Sequence, residues 1–322
     1  MRFVGLRLFP ALLVSHLLVV SAPAQQTLEQ SEALSLLQKI AKAARELNYR
    51  GAFVYQHGDQ AEGSRITHYV DRTGEYEKLE TLDGPRREIF RNNDEIITYY
   101  ADSKVIKRER RTPRKLFPAL LPDQLNALTE YYQLRKGGQE RVAGRSAQAL
   151  ILEPKDQFRY GHLLWAEQQT GLLLKAKMVN EKNQVMEQFH FTSVEIDISI
   201  SPDAVKPTFA LPPAPVNDSA TATETGWFVR EKPAGFRKIM EMKRVKQSGG
   251  YVAHLVFSDG LAAVSVFIEP MPTSRKIVPG LSHQGAVSIY TRPLSDQLIT
   301  VLGETPPVTV MQIANSVAPK ER

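Results

Sequence analysis

The chain has 322 residues, 41 Lys and Arg against 35 Asp and Glu, and no cysteine. That length has room for two ordinary domains and a linker. The missing cysteines exclude disulfides, thiolate catalysis and thiolate-held metals, and the mild basic excess points to anionic lipid, glycolipid or an acidic partner rather than to nucleic acid.

At the N-terminus, Arg2 and Arg7 precede an apolar run from Leu8 to Val20 that closes on Ala22-Pro23-Ala24. The run is short for a bilayer span and is interrupted by Pro10, Ser15 and His16. It predicts a cleaved export signal over 1–24, with Gln25 the first mature residue. No Cys follows the cleavage site to carry a lipid anchor. An exported chain without disulfides rests on its hydrophobic core, which about 300 residues can supply.

The first domain is expected over 25–200. Thr27-Leu28-Glu29-Gln30 reads as a capping box, and the helix behind it sets Ala33, Leu37, Ile40, Ala44 and Leu47 on one face. From Gly51 the period changes to that of strands: GAFVYQ, SRITHYVD, EYEKLETL, REIFRN, EIITYYA and KVIKRE, separated by short turns. Such close spacing predicts an antiparallel meander. After an irregular, Pro-broken segment from Leu116 to Tyr132, four more strands follow: QALILEP, YGHLLWAE, GLLLKAKMVN and VMEQFHFTSVEID. One helix and some ten strands predict a curved antiparallel sheet around a helix, filled by it or leaving a cavity for an apolar ligand.

Between the two strand groups, KVIKRERRTPRK runs directly into LFPALLP. One reading is a solvated edge strand leading into a loop on the core. The other is a site for an amphiphile, with Arg108, Arg110, Arg111 and Arg114 for phosphates and Leu116, Phe117, Leu120 and Leu121 for acyl chains.

Residues 201–226 are rich in Pro, Ala, Thr and Ser and predict an extended linker. A second unit is expected over 227–318. Its centre is YVAHLVFSDGLAAVSVFIEP, two apolar runs flanking Asp259-Gly260, a dipeptide suited to a two-residue type I′ hairpin. That turn pairs Phe257 with Ala262, Leu255 with Val264, Ala253 with Val266 and Tyr251 with Ile268 on a wholly apolar face. The other face carries Val252, His254, Val256, Ala263, Ser265 and Phe267, too apolar to be left wet without a reason. QGAVSIYTR and QLITVLGE give a second pair, and Thr305 with Pro306 opens a last helix whose Val310, Ile313, Ala314 and Val317 cover one face of the sheet.

HExxH, GxSxG, P-loop and GxGxxG motifs are absent, and the seven histidines lie without metal-ligand spacing. No catalytic residue, metal or cofactor is expected.

The chain resembles the RseB/MucB family, periplasmic negative regulators of an envelope-stress sigma factor. The resemblance runs through GAFVYQ at Gly51, LDGPRREI at Leu82, RVAGRSA at Arg141, the long stretch from Arg159 to Thr192, PAGF at Pro233, SDGLAAVSVFIEP at Ser258, GAVSIYTR at Gly285 and ITVLGETP at Ile299. One departure is AEQQTGLL, which lacks an acidic residue just before its Thr-Gly turn. The resemblance implies an α+β architecture: a LolA-like half-barrel around helices, then a smaller C-terminal antiparallel sheet with a terminal helix. It also implies a partner, the periplasmic segment of an RseA/MucA-type anti-sigma factor, shielded from proteolysis and released by lipopolysaccharide or another acylated lipid. On that reading Val252, His254, Phe267, Tyr290 and Arg292 are the candidate partner contacts. Two alternatives stand beside it: a periplasmic lipid or lipoprotein carrier, and an exported hydrolase of unrecognised type.

Overall fold

The computed structural model describes residues 22–93, 95–110, 117–122, 125–209, 224–245, 250–271 and 278–320. The first described element is a helix, α1 (Ala22–Glu46). Its described residues begin five ahead of the expected cap. Thr27 therefore lies inside the helix. The expected apolar stripe is real: Ala33, Leu37 and Ile40 are fully buried and Ala44 nearly so.

Eleven strands then form one antiparallel sheet: β1 (Tyr49–His57), β2 (Gln60–Asp71), β3 (Gly74–Thr81), β4 (Arg87–Asn92), β5 (Glu95–Tyr100), β6 (Val105–Arg110), β7 (Tyr132–Val142), β8 (Arg145–Pro154), β9 (Gly161–Glu167), β10 (Leu173–Val179) and β11 (Val185–Ile196). The order is β6-β5-β4-β3-β2-β1-β11-β10-β9-β8-β7, two meanders joined where β1 pairs with β11. Gly51 stands at this seam because a Cβ there would lie 2.4 Å from the Ser193 carbonyl oxygen. The sheet curves, and α1 lies in its concavity against β7, β8 and β10, with Leu150, Leu164 and Leu173 in the shared core. A single turn of helix, α2 (Leu128–Tyr131), leads into β7. In the AEQQTGLL turn, Glu167 supplies the carboxylate: it accepts from the amides of Gln169 and Thr170 and from the Thr170 hydroxyl.

The C-terminal unit is a six-stranded antiparallel sheet of β13 (Arg237–Val245), β14 (Tyr251–Ser258), β15 (Ala263–Pro270), β16 (Gly280–Gln284), β17 (Val287–Leu294) and β18 (Gln297–Gly303), in the order β13-β14-β15-β18-β17-β16. Beside it, β12 (Trp227–Val229) pairs with β19 (Val317–Pro319). The last helix, α3 (Pro307–Asn315), begins after Pro306 without a side-chain cap. Thr305 is buried and its carbonyl accepts from the Ser288 hydroxyl at 2.6 Å, so it is a packing residue and not the expected cap.

The hairpin β14–β15 keeps the expected faces and changes the register. Ser258 pairs with Ala263, Phe257 with Val264, Leu255 with Val266 and Ala253 with Ile268, so the loop holds four residues, 259–262, and not two. Asp259 sets the longer loop, its Oδ1 accepting from the amides of Leu261 (3.0 Å) and Ala262 (2.8 Å), while Gly260 takes a φ of +105°. A slip of two residues leaves every side chain on its expected side. Ala253, Leu255, Val264, Val266 and Ile268 are at most 1 % exposed, in one core with Val310, Ile313 and Ala314 of α3. Each large member of that core contributes about 2 kcal/mol through burial.

Candidate functional site

Among the described residues, no helix of the C-terminal unit covers the opposite face of β14–β15. It faces the mouth of the curved N-terminal sheet, and between them lies a cavity of about 620 Å³ lined by both domains. That volume falls among pockets that enclose small ligands, about 300–1,000 Å³.

The N-terminal wall is aromatic. Alternation along β1 turns Phe53 and Tyr55 inward, and the pairing of β1 with β11 brings Phe191 and Phe189 opposite them. Phe117 lies on this floor, stacked on Phe189 at 5.4 Å between centroids and tilted against Phe53 at 5.3 Å; Phe189 stacks on Tyr55 at 4.5 Å. Leu120 and Leu121 complete this wall. The three described members of the expected acyl set, Phe117, Leu120 and Leu121, thus converge on one cavity. Leu116 lies outside the described residues.

Polar groups punctuate the lining. Arg87 donates to Glu62 at 2.9 Å. His162 of β9 and His254 of β14 reach the cavity from the two domains. Burial pushes His162 down to about 4, and burial together with the positive charge of Arg244 pushes His254 down to about 4, so both imidazoles are neutral near pH 7. The His254 ring stacks on Phe267 at 4.2 Å, with Nε2 3.2 Å from the Ser265 hydroxyl.

The remaining expected residues fall elsewhere. Arg108, on the edge strand β6, donates to Glu95 at 3.1 Å and does not line the cavity. The side chain of Arg110, with Arg111 and Arg114, lies outside the described residues. Val252 shares the outer face of the hairpin with His254 and Phe267. Tyr290 and Arg292 occupy the other face of the sheet, Tyr290 packed on the core under α3 and Arg292 donating from Nε to the Ala314 carbonyl at 2.9 Å, at the C-terminus of that helix. These five residues therefore do not form one continuous surface.

The hairpin tip plugs into the N-terminal domain. Leu261 packs on the core of that domain, and a Cβ on Gly260 would lie 3.2 Å from Pro122 and 3.5 Å from Leu128. Asp259 meets Arg159, from the segment before β9, at 2.9 Å, and both side chains are wholly buried. Burial raises the Asp259 carboxyl above its ordinary value, against the lowering pull of the Ala262 amide and the Arg159 guanidinium. Arg159 also donates to Asp156 (3.0 Å) and to the Ala234 carbonyl (2.6 Å), and its guanidinium lies 4.7 Å from the Tyr131 ring and 5.4 Å from that of Phe236. Sequence reading alone gives Arg159 and Asp259 no such role. The visible signal is that both fall in stretches carrying the family resemblance, one in each domain.

Among the described residues no His, Asp or Glu group is arranged to hold a metal, and no helix is long and apolar enough to cross a membrane. Fold and site define a two-domain binding protein with an apolar cavity between its domains. Profiles of the MucB/RseB N-terminal and C-terminal domains match residues 32–209 and 221–318. The sigma factor AlgU regulatory protein MucB of Pseudomonas aeruginosa is 31 % identical over 313 residues, covering 94 % of this chain and 95 % of that protein. The sigma-E factor regulatory protein RseB of Haemophilus influenzae is 26 % identical over 311 residues, covering 96 % and 97 %. The solved complex of P. aeruginosa MucA and MucB superposes with a TM-score of 0.75 at 30 % identity, covering 90 % of this chain and all of the matched one. A crystal structure of MucB gives 0.66 at 29 % identity, covering 90 % and 98 %. The chain belongs to the MucB/RseB family.

Proposed function

We propose that this protein is an exported periplasmic regulator, its leader removed after Ala24. It binds the periplasmic segment of a transmembrane anti-sigma factor, shields that segment from proteolysis and so keeps the sigma factor inactive. The observation that carries this reading is the match in sequence and fold, over both domains, to a MucB solved together with MucA. The regulator names of the relatives support it.

The release signal in this reading is an acylated lipid such as lipopolysaccharide. Its acyl chain occupies the cavity against Phe117, Leu120 and Leu121, and Arg108, Arg110, Arg111 and Arg114 are the candidate contacts for its phosphates. The aromatic lining and the two neutral histidines favour an uncharged chain there. Of the candidate partner contacts, Val252, His254 and Phe267 form one patch on the cavity side of the hairpin. Tyr290 and Arg292 form another beneath α3.

Competition tests the whole scheme. Lipid A titrated against a complex with the anti-sigma periplasmic peptide lowers peptide affinity, and the peptide lowers lipid affinity by the same factor. Unchanged peptide affinity at saturating lipid sinks the release mechanism. The cavity also favours a second reading, a lipid or lipoprotein carrier. That reading requires transfer of a bound acyl cargo to an acceptor membrane, and failure to accept cargo from donor vesicles removes it.

A further inference from the structure

The cavity has its full extent only while the domains stay docked, because the outer face of β14–β15 is one of its walls. Ser258, Gly260 and Leu261 belong to that wall, but the two side chains that fix the tip in place, Asp259 and Arg159, do not line the cavity. Arg159 spends each polar arm on a different segment: Nε on Asp156 in its own turn, one Nη on Asp259 at the hairpin tip, and the other on the Ala234 carbonyl at the entry to the C-terminal sheet. The Tyr132 hydroxyl, from β7, adds a 3.4 Å bond to the same Asp259 oxygen. A single guanidinium thus ties the N-terminal domain to two separate pieces of the C-terminal one. Elsewhere on the interface, the turn after β16 meets the end of β1: a Cβ built on Gly285 would lie 3.7 Å from that of His57.

We propose that Arg159 and Asp259 are positioning residues for the ligand site, a latch that holds the C-terminal wall against the half-barrel, so that the latched arrangement and an acyl ligand in the cavity stabilise each other. This rests on the acyl reading of the cavity and adds what governs it. Two physical features give the latch its character. A wholly buried ion pair is costly to half-break, since the partner left behind remains charged and dry, so the wall is either seated or released. Coupling is also reciprocal: the factor by which seating the wall favours the ligand is the factor by which the ligand favours seating.

The test uses the full mature chain and cis-parinaric acid, a fluorescent single-chain fatty acid, as probe. Asp259→Asn keeps an oxygen for the amides of Leu261 and Ala262 while removing the charge that faces Arg159, and it weakens probe binding about tenfold. Arg159→Lys, which keeps the charge but loses the planar fork that serves three acceptors, is the second variant and follows the same pattern. Either variant is then combined with His57→Cys and Gly285→Cys. The chain has no other cysteine, and the Cβ separation suits a disulfide; the left-handed φ of +59° at Gly285 strains a cysteine there, so the double-cysteine chain with Arg159 and Asp259 intact is the reference for that cost. Oxidation of this pair reseats the wall and restores affinity to within about twofold of that reference, and reduction removes the gain. A general loss of folding would not return with the disulfide. The latch is overturned if both variants bind the probe like the unsubstituted chain, or if the oxidised forms stay as weak as the reduced ones. An unsubstituted chain that takes up no probe overturns the acyl reading itself, and the coupling with it.

Discussion

The two faces of the β14–β15 hairpin come from the same strands, yet they end in different surroundings. One is covered by α3 and closed into a core with side chains at most a few per cent exposed. The other is covered by a separate domain that touches it at the tip and leaves a cavity over its middle. The contrast lies in the cover. A helix from the same unit follows its sheet through short connections and fills the space, whereas a domain on a linker is held at a few points.

The comparison is open to several measurements. The largest effect belongs to the point of attachment. Arg159→Ala leaves Asp259 buried without its counter-charge and destabilises the docked state by about 3–5 kcal/mol. Trp165 and Trp227, one in each domain, report denaturant unfolding of the two units, and a loss below about 1 kcal/mol would show that the pair does not hold the domains together. Next comes acid. His162 and His254 have folded pKa values of about 4 against an ordinary value near 6.5, so the unfolded chain takes up protons first as pH falls. Their contribution is present in full above about pH 6.5 and is lost on descending toward 4. Discounted for their cavity-facing position, the two together account for roughly 2–3 kcal/mol. The measurement is the pH dependence of the melting temperature, which His162→Gln with His254→Gln flattens over that window; an unchanged slope would place both rings in a wetter setting. The smaller effects compare like with like. Val266→Ala, under α3, costs about 2 kcal/mol, whereas Val256→Ala, beside the cavity, costs about 1 kcal/mol because the site already borders open space. Equal costs would mean that the two faces are packed alike.

Much of this arrangement was legible in the sequence because the side-chain period survives errors of register. The apolar face from Ala253 to Ile268 follows from alternation alone, and so does its cover by Val310, Ile313 and Ala314. The four-residue turn was not legible, because Asp259 answers to Arg159, a hundred residues away, as well as to its own loop. β7 escaped because its polar Gln133-to-Arg141 run, with Gly137-Gly138 inside, belongs to an edge strand with little to bury. The cavity-lining residues Phe117, Leu120 and Leu121 could be picked out from composition, as apolar residues in a Pro-broken loop. Their companions Phe53, Tyr55 and Phe189 could not, since aromatic residues in strands look like ordinary core until the curvature shows which side is left open.

After β11 the chain makes a short 3-10 turn at Pro202–Val205 and then lays Phe209 on the sheet, stacked on Tyr99 at 4.0 Å and edge-on to Phe90 at 5.6 Å, while Thr208 donates to Glu88. The tether to the second domain therefore starts at this anchor beside β5 and not at the end of β11. The fifteen steps from Phe209 to Glu224 span at most about 50 Å. By chain length alone, a C-terminal domain that undocks stays within that radius. Redocking is then a first-order event set by the tether and independent of protein concentration. An interface of a few anchors can close reliably on those terms and be held closed by a ligand of ordinary affinity.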